Sequence, residues 1–177
     1  MERNILSPYR VFGVKGGEDM DPTQDRDSPE AVIRRYSDMV YRLAFARTGN
    51  RSDAEDLYQE VFLRYLTKAP AFTSEEHRKA WLLRVAVNCA NRFHTAPWRK
   101  RTEPLSEALS VPAPEGEDLW EELRRLPEKD RTVLHLYYYE DMTTEEIAQM
   151  LDRNPATVRS QLLRARAKLK KLLVEEG

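Results

Sequence analysis

The chain has 177 residues, with 29 Lys and Arg against 30 Asp and Glu and a formal net charge of -1. That length accommodates one domain or two small ones, and the near-neutral balance excludes a protein that holds nucleic acid by an overall positive charge. A single cysteine, Cys89, excludes an internal disulfide and any zinc site built on paired thiolates, and no apolar run approaches the roughly 20 residues needed to span a bilayer.

Residues 1–27 are rich in Gly and Asp without helical periodicity, and they read as a flexible extension with a small apolar patch at Tyr9, Val11, Phe12 and Val14. They lack a signal-peptide core, so the expected compartment is the cytoplasm. Ser28-Pro29 predicts an N-cap followed by a first-turn proline. The helix that follows should bury Ile33, Tyr36, Met39 or Val40, and Leu43, and end at Thr48-Gly49, where glycine suits a left-handed cap.

Ser52 and Glu55 have capping-box spacing and predict a second helix through DAEDLYQEVFLRYL, with Ala54, Leu57, Val61 and Tyr65 inward. From Asp53 to Glu60 there are four acids and no base. Asp53, Glu55 and Asp56 suit the positive end of the helix dipole. Gln59 and Glu60 lie deeper, where that explanation fades.

Pro70 breaks the chain, and Ser74 starts a third helix to about Phe93 with Leu82, Val85 or Ala86, Cys89 and Phe93 inward. Trp81, Arg84, Asn88 and Asn91 fall on another side, three, four and three apart. Trp81 taken alone is half-buried core; beside Arg84 and Asn88 it offers a stacking plane, a cation and hydrogen bonds to a single-stranded base. The loop that follows, TAPWRKR, places Trp98 against Arg99, Lys100 and Arg101.

Residues 102–118 carry Pro104, Pro112, Pro114 and Gly116 and predict a linker. Helices resume at Leu119, with Leu119, Leu123, Leu126, Val133, Leu136 and Tyr137 as core. Thr143 and Glu146 repeat the capping box, Ile147, Ala148 and Leu151 give a short buried face, and Asn154-Pro155 starts a last helix that buries Val158, Leu162, Ala165, Leu169 and Leu172. Two short helices across a three-residue turn make a helix-turn-helix, whose second helix is shaped for a DNA major groove. From Pro155 to Lys171 the ionised residues are Arg159, Arg164, Arg166, Lys168, Lys170 and Lys171, with no acid. The three histidines, His77, His94 and His135, show no metal-ligand spacing, and no cofactor motif is present. No strand pattern appears. The expected fold is all-α: two small helical domains, at 28–101 and 119–177, joined by a flexible linker, the C-terminal one a helix-turn-helix.

Three motifs in this order, DAEDLYQEVFLRY at 53–65, KAWLLRVAVN at 79–88 and LPEKDRTV…EEIAQML…TVRSQLLRARAKL at 126–169, resemble a bacterial RNA polymerase sigma factor of the sigma-70 family, in its extracytoplasmic-function group. The resemblance implies a non-enzymatic protein that binds core RNA polymerase and directs transcription initiation at promoter DNA. It assigns polymerase binding to Asp53, Asp56, Gln59 and Glu60. It assigns the minus-ten element to Trp81, Arg84, Asn88, Trp98, Arg99, Lys100 and Arg101. The minus-thirty-five element falls to Thr157, Arg159, Ser160, Gln161, Arg164 and Lys168, and an anti-sigma factor is a further partner of this group. Two positions depart from the common pattern, Arg92 in place of an aspartate and Gln161 in place of an arginine; glutamine in the groove would favour adenine. The rival readings are a dimeric helix-turn-helix regulator acting without polymerase and an enzyme using the carboxylates at 53–60. No nucleophile, phosphate loop or positioned histidine supports the second.

Overall fold

The computed structural model describes residues 26–95 and 122–175. Within them the chain is helical: α1 (Pro29–Thr48), α2 (Arg51–Lys68), α3 (Glu75–Thr95), a single helical turn at 122–125, α4 (Glu128–Tyr138), α5 (Thr144–Leu151) and α6 (Pro155–Glu175). No helix among the described residues is long and apolar enough to cross a membrane. The expected extension up to residue 25, the whole of the expected linker at 102–118, Leu119 and the Trp98–Arg101 loop lie outside the described residues.

Local chemistry sets the helix ends. Ser28 accepts the Ala31 N–H through its hydroxyl, and Gly49 closes α1 at φ 75°, in the left-handed region. The next residue, Asn50, already caps α2. Its side-chain carbonyl accepts the Asp53 N–H at 2.9 Å, while its amide donates to the Asp53 carboxylate at 2.6 Å. The expected cap at Ser52 is therefore displaced by two residues, because the reciprocal Asn50–Asp53 pair satisfies a free donor of the helix start first. Ser74 accepts the His77 N–H at 3.0 Å ahead of α3.

The first three helices share one core. Val32, Tyr36, Val40 and Leu43 come from α1, Ala54, Leu57, Val61 and Phe62 from α2, and Leu82, Leu83, Ala86, Val87, Cys89 and Ala90 from α3. Val32 takes the inward place expected for Ile33, which flanks the core with Met39. The buried face of α3 is wider than one stripe because it packs on α1 and α2 and also meets α5. Burial pushes the Cys89 thiol up, so it serves as a small core side chain.

In the second set, Val133, Leu134 and Leu136 of α4 pack with Leu123, Leu126, Ile147, Ala148, Met150, Val158, Leu162 and Ala165. The capping box before α5 is complete: Thr143 Oγ1 accepts the Glu146 N–H at 3.2 Å and the Glu146 carboxylate accepts the Thr143 N–H at 2.7 Å. That backbone donor holds the Glu146 carboxyl below the usual carboxylate range. Thr143→Ala leaves one donor uncapped and should cost about 1 kcal/mol in chemical denaturation, the ordinary worth of a cap.

α1 also lies against α4, docking the two sets on each other. Arg47 of α1, only 3% exposed, pairs with Glu128 at 2.7 Å and donates to Thr132 Oγ1 of α4 and Asn91 Oδ1 of α3. Arg131 of α4 donates to the Ala46 carbonyl at 2.9 Å, and Lys79 of α3 meets Glu140 at 3.2 Å.

Candidate functional site

Three helix surfaces carry the residues singled out in the sequence. On α2, Asp56 and Gln59 are exposed and Glu60 is half-exposed, accepting from Arg64 Nε at 2.6 Å. The Asp53 carboxylate also accepts from the Asn50 side-chain amide, at 2.6 Å, at the start of the helix. The same face continues into apolar surface: Leu63 is 56% and Leu66 54% exposed. Helical spacing puts Leu63 one turn beyond Gln59 and Glu60. Sequence reading passed over both leucines, although their absence from the inward stripe of α2 was the available signal.

On α3, Arg84 and Asn88 are exposed. Arg84 Nη2 donates across to the Gln149 carbonyl of α5 at 3.0 Å, so the two sets of helices meet at this residue. Trp81 is half-buried in an aromatic group, edge-on to Tyr65 and Phe72 at centroid distances of 6.2 and 5.7 Å. Asn91 is drawn to the Arg47 guanidinium rather than left on the Trp81 side.

The turn between α5 and α6 is built by Asp152, left-handed at φ 53°, with the Arg153 N–H bonded to the Ala148 carbonyl at 2.8 Å. Asn154 Oδ1 accepts the Ala156 N–H at 2.8 Å and starts α6. Thr157, Arg159, Ser160, Arg164 and Lys168 are exposed along α6. Gln161 is not: it is 7% exposed, accepts from Arg153 Nη1 at 2.6 Å and donates to Asp130 Oδ1 at 3.4 Å. Gln161, expected to favour adenine, is instead turned inward here, where it ties the turn and α6 to α4.

The cations of α6 are not equally available. Lys168 is held by the buried Asp130 at 2.6 Å, and Arg166 lies over the Tyr137 and Tyr138 rings at 5.1 and 5.4 Å. Arg159 pairs with Glu145 at 2.9 Å, but both side chains are more than half exposed. An exposed pair of this kind contributes about 1 kcal/mol or less and yields readily to a phosphate. Arg164 and Lys170 form no ion pair among the described residues.

Two family descriptions match the chain: "Sigma-70 region 2" over residues 32–100 and "Sigma-70, region 4" over residues 116–169. The chain is 33% identical to the ECF RNA polymerase sigma factor SigE of Mycolicibacterium smegmatis over 180 residues, covering 94% of this chain and 68% of that protein. It is 32% identical to the ECF RNA polymerase sigma-E factor of Haemophilus influenzae, covering 80% and 85% of the two chains. With the Bacillus subtilis ECF factor SigW the identity is 27%, over 96% and 97%. Among solved structures, the sigma factor RpoE in its complex with the anti-sigma factor NepR from Bartonella quintana superposes with a TM-score of 0.64. That match has 22% identity and covers 81% of this chain and 95% of that one, a likeness of fold.

Proposed function

Since the chain belongs to the sigma-70 family, in its extracytoplasmic-function group, and so is a sigma factor that directs promoter recognition and transcription initiation by RNA polymerase, we propose how its surfaces divide that work. The protein catalyses no reaction itself; it supplies position and specificity to the polymerase, and it works in the cytoplasm. Residues 28–101 form the unit that grips polymerase and the minus-ten element, and 119–177 the unit that reads the minus-thirty-five element. An anti-sigma factor is the class of partner that would cover the same surfaces.

The α2 face docks on core enzyme through Asp56, Gln59 and Glu60, with Leu63 and Leu66 supplying apolar area beside them. Asp53 is supporting, through the cap it helps to close. Arg84, Asn88 and Trp81, with Trp98, Arg99, Lys100 and Arg101, hold the opened minus-ten strand. Unstacking a base costs a few kcal/mol per step, and each base captured on an aromatic plane returns about 1–3 kcal/mol. Capture therefore balances opening only when several contacts act together, which is what tethering to polymerase supplies by raising their effective concentration.

The observation that carries the reading is the separation of character: an acidic and apolar exposed face on α2, and on α6 an exposed face bearing Arg159, Arg164 and Lys170 with no acid between Pro155 and Lys171. The first suits a protein partner and the second a phosphate backbone. Transcription with core enzyme on a promoter library tests it. Arg159→Glu should keep polymerase association and lose upstream-element binding by more than about tenfold, one phosphate contact turned into a repulsion. A variant that reads the library as the parent does would remove α6 from the upstream contact. Duplex binding by a dimer without polymerase would favour the regulator reading.

A further inference from the structure

Leu163 stands out on α6. It is 68% exposed in a helix whose other large apolar side chains in the first three turns, Val158 and Leu162, are buried. At about 100° per residue, Leu163 points roughly 150° away from the mean direction of Val158, Gln161, Leu162 and Ala165. It is therefore at the outermost line of the helix. Its neighbours along that line are Ala156, Ser160 and Ala167, all exposed and all small, so the leucine projects beyond them. Arg159, Arg164 and Lys170 flank the line.

A lone exposed leucine needs no explanation on an ordinary surface. Here the flanking charge selects the occupant. A border of cations with no acid on α6 from Pro155 to Lys171, and only the exposed Glu145 of α5 beside Arg159, complements a polyanion, and a helix laid in a major groove sends its flanks to the phosphates and its outermost line to the base edges. The single apolar feature of that groove is the 5-methyl group of thymine. Gln161, one of the six side chains that the resemblance offered for the upstream element, is turned into the interior and bonded there.

We propose that Leu163 is a specificity-determining residue that seats against the 5-methyl group of a thymine in the upstream promoter element. This rests on the reading that α6 enters the major groove, and the test separates the two. Holoenzyme made with the full chain is bound to a promoter chosen from the library, and each upstream thymine is replaced in turn by deoxyuridine, which removes the methyl group alone. For the parent protein, one thymine should show about a fourfold loss, the worth of burying one methyl group (about 0.8 kcal/mol at 1.4 kcal/mol per tenfold). Leu163→Ala should lose a similar factor on thymine DNA and be indifferent to deoxyuridine at that position, while Leu163→Met keeps the sensitivity. Unchanged helical circular dichroism and urea denaturation show that the variants are folded. Equal sensitivity of parent and Leu163→Ala at every thymine, or no sensitivity in the parent, overturns the methyl contact while leaving upstream binding standing. If Arg159→Glu and Leu163→Ala both leave upstream binding untouched, the groove reading fails and takes the proposal with it.

Discussion

Reversing Asp56 and Glu60 to lysine together should weaken association with core RNA polymerase by about a hundredfold or more, measured by titrating labelled protein with core enzyme. A residue at the centre of a protein interface is worth about 2 kcal/mol or more when truncated, and setting like charge against a patch built for the opposite sign costs several kcal/mol. The fold should hold. Asp56 is exposed, and the Glu60–Arg64 pair that is lost is a partly exposed helical pair worth only a few tenths of a kcal/mol. Loss of binding with unchanged urea denaturation is therefore the expected signature. Leu63→Ala and Leu66→Ala should each weaken association without altering its salt dependence, because they remove apolar area and no charge. If the double reversal binds core enzyme as the parent does, α2 is not the gripping surface.

The chemistry that acts over three or four residues was readable from the chain. Thr143 with Glu146, Ser28 with Pro29, and Gly49 each fix a helix end through backbone groups next to them in sequence, and each is found as expected. The α2 start slipped because two local solutions competed, Asn50–Asp53 and Ser52–Glu55, and spacing alone does not rank them. Gln161 shows where local reading ends. Its helical position sits at the margin of the buried stripe, and what draws it inward is Asp130, 31 residues away, together with Arg153 across the turn. Arg47 was passed over for the same reason: its partners lie in α3 and α4, and a basic residue in the last turn of a helix already has a sufficient local explanation in the dipole. Leu63, Leu66 and Leu163 are a different failure. Periodicity places them outside, yet an exposed leucine becomes informative only when the charge around it is known.

Replacing Arg47 with methionine should lower stability by about 3 kcal/mol, far more than the loss of a surface ion pair. Removing one partner of a buried pair costs about 3–5 kcal/mol, because the other is left without its counterpart. The lower end applies, since the Glu128 side chain is 28% exposed and regains some water. Asn91 Oδ1 and Thr132 Oγ1 lose a donor in the same step, although Thr132 keeps its own bond to the Glu128 carbonyl. Burial depresses the Arg47 pKa and Glu128 opposes that shift; a guanidinium nevertheless stays charged at neutral pH, so the ion cannot escape its cost by shedding a proton. Arg35→Met is the control. Its pair with Glu75 is 2.8 Å long, but the side chains are 39% and 47% exposed, so its loss should cost about 1 kcal/mol or less. Urea denaturation of the two variants separates depth from distance, because both remove a short Arg–Glu contact. Adding Glu128→Gln to Arg47→Met should restore part of the loss, because it removes the charge that Arg47 had faced. Since Arg47 bonds α3 and α4 from α1, amide exchange should quicken in all three helices. Exchange confined to the end of α1, or a cost no greater than that of Arg35→Met, would show that Arg47 does not hold the two sets of helices together.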